Sequence, residues 1–210
     1  MNYLTRAHWG ARPAVKTKPI GKIKGVVIHY AGFTIDVDRD PAQLVTSIQR
    51  QHMDKRNWWD VAYNEFVALD GTVVEGRGLL VRSGANGTNT ANKNYLAICL
   101  LIGDEQHPSP EMIQSVKERI KVIRAIQPQA TEIIGHRDCK ATSCPGEGAY
   151  ALVRSGAFQP DALNTTEVVE RVKKELKKPE KSSGKKKTCS CCAEQLADLS
   201  ARVKVLEKKS

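Results

Sequence analysis

KGVVIHYAG (Lys24–Gly32) is an apolar, β-branched run closed by glycine. Its length and composition predict a strand buried on both faces, ending near His29. A strand of that kind needs layers above and below it, and the flanking sequence supplies them. PAQLVTSIQRQHMDKR (Pro41–Arg56) has Asp40 as an N-cap, Pro41 at the first helical position, and Leu44, Ile48 and Met53 along one stripe. VAYNEFVALDGTVVEGRG (Val61–Gly78) reads as two strands turning at Asp70-Gly71. Arg82–Asn94, rich in Gly, Asn and Thr, reads as loop, and YLAICLLIG (Tyr95–Gly103) as a second buried strand. SPEMIQSVKERIKVIRAI (Ser109–Ile126) is a capped helix with Ile113, Val116, Ile120 and Ile123 on one face, and TEIIGH (Thr131–His136) a last short strand. Strands alternating with helices predict an α/β fold: a central mixed sheet flanked by helices.

The chain divides by composition. Residues 1–160 form the expected globular domain. From Asp161 onward, 13 Lys+Arg against 8 Asp+Glu carry half of the net charge of +10. Residues 161–188 read as a short amphipathic helix (NTTEVVERVKKELKK) and a basic linker (KPEKSSGKKK). Residues 189–210 place Cys189, Cys192, Leu196, Leu199, Val203 and Leu206 at alternating steps of three and four, the a and d positions of a coiled coil. That tail is expected to make the protein a homo-oligomer, with avidity for a polymeric target. A basic balance favours anionic partners, among them wall polymers, lipid headgroups and nucleic acid. The basic residues lie in a linker without interleaved aromatics, so specific nucleic-acid binding is not expected. The longest apolar run is too short to span a bilayer, and no transmembrane segment is expected. MNYLTRAHWGARP has no basic-then-apolar pattern of a secretory signal, which predicts synthesis in the cytoplasm. Six cysteines in 210 residues, three of them in TCSCC (Thr188–Cys192), do not form the spacing of a disulfide scaffold.

Chemistry concentrates in GHRDCKATSCPG (Gly135–Gly146), where His136, Cys139 and Cys144 fall within nine residues. His29 and His136 both sit at the ends of expected core strands. A catalytic zinc takes three protein ligands and leaves one position open. The residues alone allow two readings: a two-histidine, one-cysteine zinc site, or hydrogen-bonded strand-end histidines beside buried thiols.

VVIHYAG, WWDVAYNEFVALDGTVVEGRG and GHRDCKATSCPG, in that order, resemble the zinc-dependent N-acetylmuramoyl-L-alanine amidases. That family includes phage lysozyme-like amidases and the peptidoglycan recognition proteins. RAHWGARP resembles the N-terminal segment of the recognition-protein branch, and the likeness runs from about Thr5 to Gly148. The resemblance implies a Zn2+ cofactor held by His29, His136 and Cys144, with Cys139 outside the site. It implies Tyr63 as the residue that orients water or donates to the oxyanion, and Thr142 as a second helper where phage amidases carry lysine. Lys140 is out of register for that role. Asn86, in SGANG, stands where the family has a substrate-contacting histidine. Trp58 and Trp59 either stack on substrate or cover a helix end. His8 is expected to be structural or exposed, and His107 precedes Pro108 in a loop; His52 is expected to be an exposed helix histidine, although the resemblance implies that it borders the cleft. The implied activity is hydrolysis of the muramic acid–L-alanine bond of bacterial peptidoglycan, as a phage or prophage endolysin acting on the wall after release through a separate pore. The competing reading is a silent peptidoglycan-binding module.

Overall fold

The computed structural model describes residues 2–161 apart from Thr34 and Val37. The basic linker and the heptad of 189–210 lie outside the described residues. Six strands form one sheet: β1 (Tyr3–Leu4), β2 (Gly25–Tyr30), β3 (Glu65–Val67), β4 (Val73–Glu75), β5 (Tyr95–Leu100) and β6 (Glu132–Gly135), in the order β1-β4-β3-β5-β2-β6. Only β3 and β4 pair antiparallel, through the Asp70-Gly71 turn; the other pairings are parallel. The sheet is mixed, as expected. All six residues of β2 are buried, because β5 and β6 flank it and helices cover both faces. Gly25 is required there: a Cβ would stand 1.8 Å from the Glu132 carbonyl oxygen of β6.

Alternate residues of the strands feed two cores. On one face Ile28, Leu96, Ile98 and Leu100 pack with Met112, Val116, Ile120 and Ile123 of helix α3 (Pro110–Ile126). On the other, Phe66, Val74, Cys99 and Leu101 pack with Leu44, Val45 and Ile48 of helix α1 (Pro41–Arg50) and with Trp9. Both expected caps form. The Asp40 carboxylate accepts from Ala42 N at 2.9 Å, and Ser109 Oγ from Met112 N at 3.0 Å, each interaction worth about 1 kcal/mol. Helix α3 is further tied to β3 by Arg119, whose Nε and Nη2 donate to Glu65 at 3.0 and 2.7 Å with both side chains fully buried.

The structure differs from the sequence reading in detail. The helix expected over 41–56 is α-helical to Arg50 and continues as a π-helical turn, Gln51–Lys55. The 82–94 loop contains a helix, α2 (Asn89–Asn94), because the Thr88 hydroxyl caps it by accepting from Ala91 N. The expected strands are shorter, and Tyr63 precedes β3 rather than lying in it. Strand β1 and helix α4 (Glu147–Arg154) are additions that the sequence reading lacks.

Candidate metal centre

The pairing register builds the site. Parallel strands β2 and β6 align through Ile28 and Gly135. One residue further, His29 on β2 and His136 just past β6 reach the same level at the carboxyl end of the sheet, where ligand sites form in parallel α/β structures. Their ring centroids are 4.5 Å apart. His136 opens a 3-10 turn, His136–Asp138, which reverses the chain toward Cys144. Asp138 anchors that turn by accepting from Gly135 N and from the Tyr150 hydroxyl of α4, both at 2.7 Å. Arg137 closes the loop: its backbone N donates to Cys144 O at 3.1 Å and its Nη2 to Ser143 O at 2.6 Å. Cys144 is thereby buried, with Sγ 3.7 Å from His29 Nδ1. His29, which is 1 % exposed, turns its other nitrogen, Nε2, to Asn86 Oδ1 at 2.8 Å.

One ligand atom from each of His29, His136 and Cys144 falls within 4.8 Å of the others. Tetrahedral zinc with nitrogen at about 2.0–2.1 Å and sulfur at about 2.3 Å separates the two by about 3.6 Å, close to the 3.7 Å found between Sγ and Nδ1. Both ring nitrogens of His136 are buried and have no hydrogen-bond partner, which suits a ring waiting for a metal better than a satisfied core histidine. Burial, and then the neighbouring His136, lowers the pKa of His29 to about 3. Burial, and then Lys140, lowers that of His136. Both rings are neutral at physiological pH, the form that binds metal. Burial raises the Cys144 thiol to about 11, so a bound cation is what makes the thiolate the stable form. The residues present fit zinc.

Tyr63 stacks edge-on against His29 with centroids 5.3 Å apart. Its segment is fixed by Arg77 N donating to Tyr63 O and Ala97 N to Asn64 Oδ1, each at 2.9 Å. Burial, and then the Cys99 and Cys144 thiols, raises the Tyr63 pKa well above its usual value, keeping the hydroxyl protonated. Thr142 is exposed beside the ligand loop, its Oγ1 accepting from Cys144 N at 3.3 Å. Cys139 is half-buried and outside the three-ligand group, and Lys140 is exposed. Trp58 and Trp59 are partly exposed and line a cavity of about 290 Å³ with Arg77, Arg82 and Ser83. One expectation is corrected. His52 is buried rather than exposed, packed on Trp58 and accepting from Ala62 N at 3.2 Å through Nδ1. Asn86, near the place of the family's substrate-contacting histidine, is wholly buried with its side-chain oxygen against His29.

The sequence model described as N-acetylmuramoyl-L-alanine amidase matches residues 19–147. The chain belongs to the N-acetylmuramoyl-L-alanine amidase family. The matched span contains all five residues singled out for the site. Among curated members, peptidoglycan-recognition protein SD of Drosophila melanogaster is 30 % identical over 157 residues, 72 % of this chain and 83 % of that protein. Peptidoglycan recognition protein 1 of Rattus norvegicus is 30 % identical over 156 residues, 71 % of this chain and 84 % of that one. Among solved structures, wild-type Drosophila PGRP-LB superposes with a TM-score of 0.68 at 25 % identity, covering 78 % of this chain and 98 % of that one. A tyrosine-to-phenylalanine variant of the same protein was solved in complex with tracheal cytotoxin.

Proposed function

We propose that this member of the amidase family is a zinc-dependent enzyme that cleaves the amide between N-acetylmuramic acid and L-alanine in bacterial peptidoglycan. The observation that carries the reading is the Cys144 thiol facing His29 Nδ1 at 3.7 Å with His136 beside it, a donor set for zinc with room for a fourth, non-protein ligand. His29, His136 and Cys144 hold the ion. When bound, zinc supplies a Lewis acid at the scissile carbonyl and makes water a competent nucleophile at neutral pH. The Tyr63 hydroxyl, protonated at that pH, donates to the oxyanion as the carbonyl carbon becomes tetrahedral. Thr142, whose oxygen accepts from Cys144 N, keeps its own proton to donate to the substrate. It brings no positive charge.

Purified peptidoglycan digested with the zinc-loaded protein is expected to release L-alanine amino groups, to show no new reducing ends, and to stop doing so when a chelator is added. Reducing ends without amines overturn the reading. The names of the relatives, peptidoglycan-recognition proteins, favour a second one, a recognition module; wall binding with neither amines nor reducing ends is the signature of a silent one.

In the same reading the protein is a phage or prophage endolysin, made in the cytoplasm and acting on the wall once a separate pore admits it. Residues 1–160 are its catalytic domain, 161–188 its linker and 189–210 an oligomerising coiled coil. Phe158, buried in the core, supports a domain end near residue 160.

A further inference from the structure

Asn86 is a buried amide with both Nδ2 hydrogens and its side-chain oxygen engaged. Its Nδ2 donates to two backbone carbonyls, Ala91 O at 3.2 Å and Tyr95 O at 3.1 Å. Those two acceptors fix the orientation of the amide, because turning it over would set its oxygen against two other oxygens. The side-chain oxygen must therefore face His29, where it lies 2.8 Å from Nε2. An oxygen with no proton can only accept, so Nε2 carries the hydrogen, and the lone pair of the ring is left on Nδ1, the atom facing Cys144 Sγ.

The surrounding loop is built to hold that amide. Asn92 Oδ1 accepts from Asn86 N at 2.9 Å and from Ser83 Oγ at 3.0 Å. Thr88 caps the short helix whose Ala91 carbonyl receives the amide. The next residue, Gly87, has φ +77°, and a Cβ there would stand 3.1 Å from His136 Nε2. The same turn thus brings Asn86 behind one histidine and a bare backbone against the other.

We infer that Asn86 is a positioning residue for the metal centre: it locks His29 in the Nε2–H tautomer and aims the Nδ1 lone pair at the ion. The inference rests on the zinc reading above. Groups that hold the far nitrogen of a ligating histidine fix its tautomer and orientation, and their removal typically costs about 10–100-fold in metal affinity.

The test uses the full chain, with Zn2+ alone as the probe. In the metal-free wild type, long-range nitrogen–proton NMR correlations are expected to show His29 Nε2 protonated and Nδ1 bare. In Asn86→Ala the preference is expected to collapse toward a mixture of tautomers, and competition against a chromogenic chelator to show Zn2+ held about 10–100-fold more weakly. A merely structural role for Asn86 leaves the tautomer of a still-folded variant unmoved. The wild-type spectrum decides the matter even if Asn86→Ala does not fold: Nδ1–H in the wild type overturns the inference. Zn2+ bound equally well by wild type and folded variant overturns it while the zinc reading stands. A wild type that binds no Zn2+ overturns the zinc reading, and with it the role of Asn86 toward a metal.

Discussion

His29 and His136 stand side by side at the ends of adjacent parallel strands, ring centroids 4.5 Å apart, although 107 positions of chain separate them. Cys144 joins them through a loop pinned by Arg137. The two cysteines of this loop should behave differently. Cys144→Ser is expected to lose Zn2+ and turnover, by more than about 100-fold, since a ligand matters more than the groups behind it. Cys139→Ser is expected to keep both. Metal content after dialysis, measured beside amine release, checks this; the reverse pattern assigns the wrong sulfur.

Tyr63→Phe removes one hydroxyl and leaves the edge-on packing against His29 in place. If the hydroxyl donates to the oxyanion, kcat falls by about 10²–10³ with KM and Zn2+ content little changed. A drop confined to KM makes Tyr63 a substrate-binding residue instead.

The fully buried Arg119–Glu65 pair gives a stability prediction. Arg119→Met takes the guanidinium from a carboxylate buried in the core and should cost about 3–5 kcal/mol in urea unfolding. Adding Glu65→Leu should return most of that loss, because an apolar pair needs no compensation. A double variant as unstable as the single one would show that packing, not the lost guanidinium, sets the cost.

His52 sets a pH dependence. Burial first, then Arg56 and Arg77, lowers its pKa to about 4, against a small opposing pull from Asp60. Between about 4 and 6.5 the unfolded chain binds a proton at this histidine that the folded chain refuses, so stability rises with pH across that window. The contribution is complete above about 6.5 and lost as pH falls toward 4, a change on the order of 3 kcal/mol. His52→Gln should flatten the difference in unfolding free energy between pH 7 and pH 4.5; an unchanged slope places the titration elsewhere.

For the tail, a helix of residues 189–210 would expose Leu196, Leu199, Val203 and Leu206 on one stripe. Burial is worth roughly 1.5–3 kcal/mol per side chain, and self-association supplies it. Light scattering should find the full chain oligomeric and a chain ending at Pro160 monomeric and still active on soluble muropeptides. A monomeric full chain at tens of micromolar, reduced and oxidised, removes the coiled coil.

Local chemistry is readable in the sequence where one segment carries its own signal. The β-branched run of β2, the Asp70-Gly71 turn, and the Asp40 and Ser109 caps are such cases. His29 and His136 stand out as strand-end histidines, and the Cys/His loop as a dense local feature, but the choice of Cys144 over Cys139 comes from the family resemblance. What stays hidden depends on distant partners. Two-residue β1 exists only by pairing with β4. NTANKN has the composition of a loop, and its helix is set by the Thr88 cap. The burial of His52 is made by Trp58 and Tyr63 folding over it. Asn86 can be placed near the site by resemblance, but its partner, 57 positions away, cannot be read from SGANG.

β6 closes the strand order, so among the described residues one side of its backbone has no strand beside it. That margin is held by the β2 ladder, by Asp138 accepting from Gly135 N and the Tyr150 hydroxyl, and, in the proposed zinc site, by the ion shared between His136 and His29. On the proposed function, stripping the metal would remove the reaction centre and one of these ties together. Amides of Ile133 and Ile134 would then exchange with solvent ahead of those of β5. The freed margin would be an adhesive one, ready to recruit a strand from another molecule. Chelated protein would then be lost to aggregation as well as to inactivity, and prompt return of zinc would rescue more of it than late return.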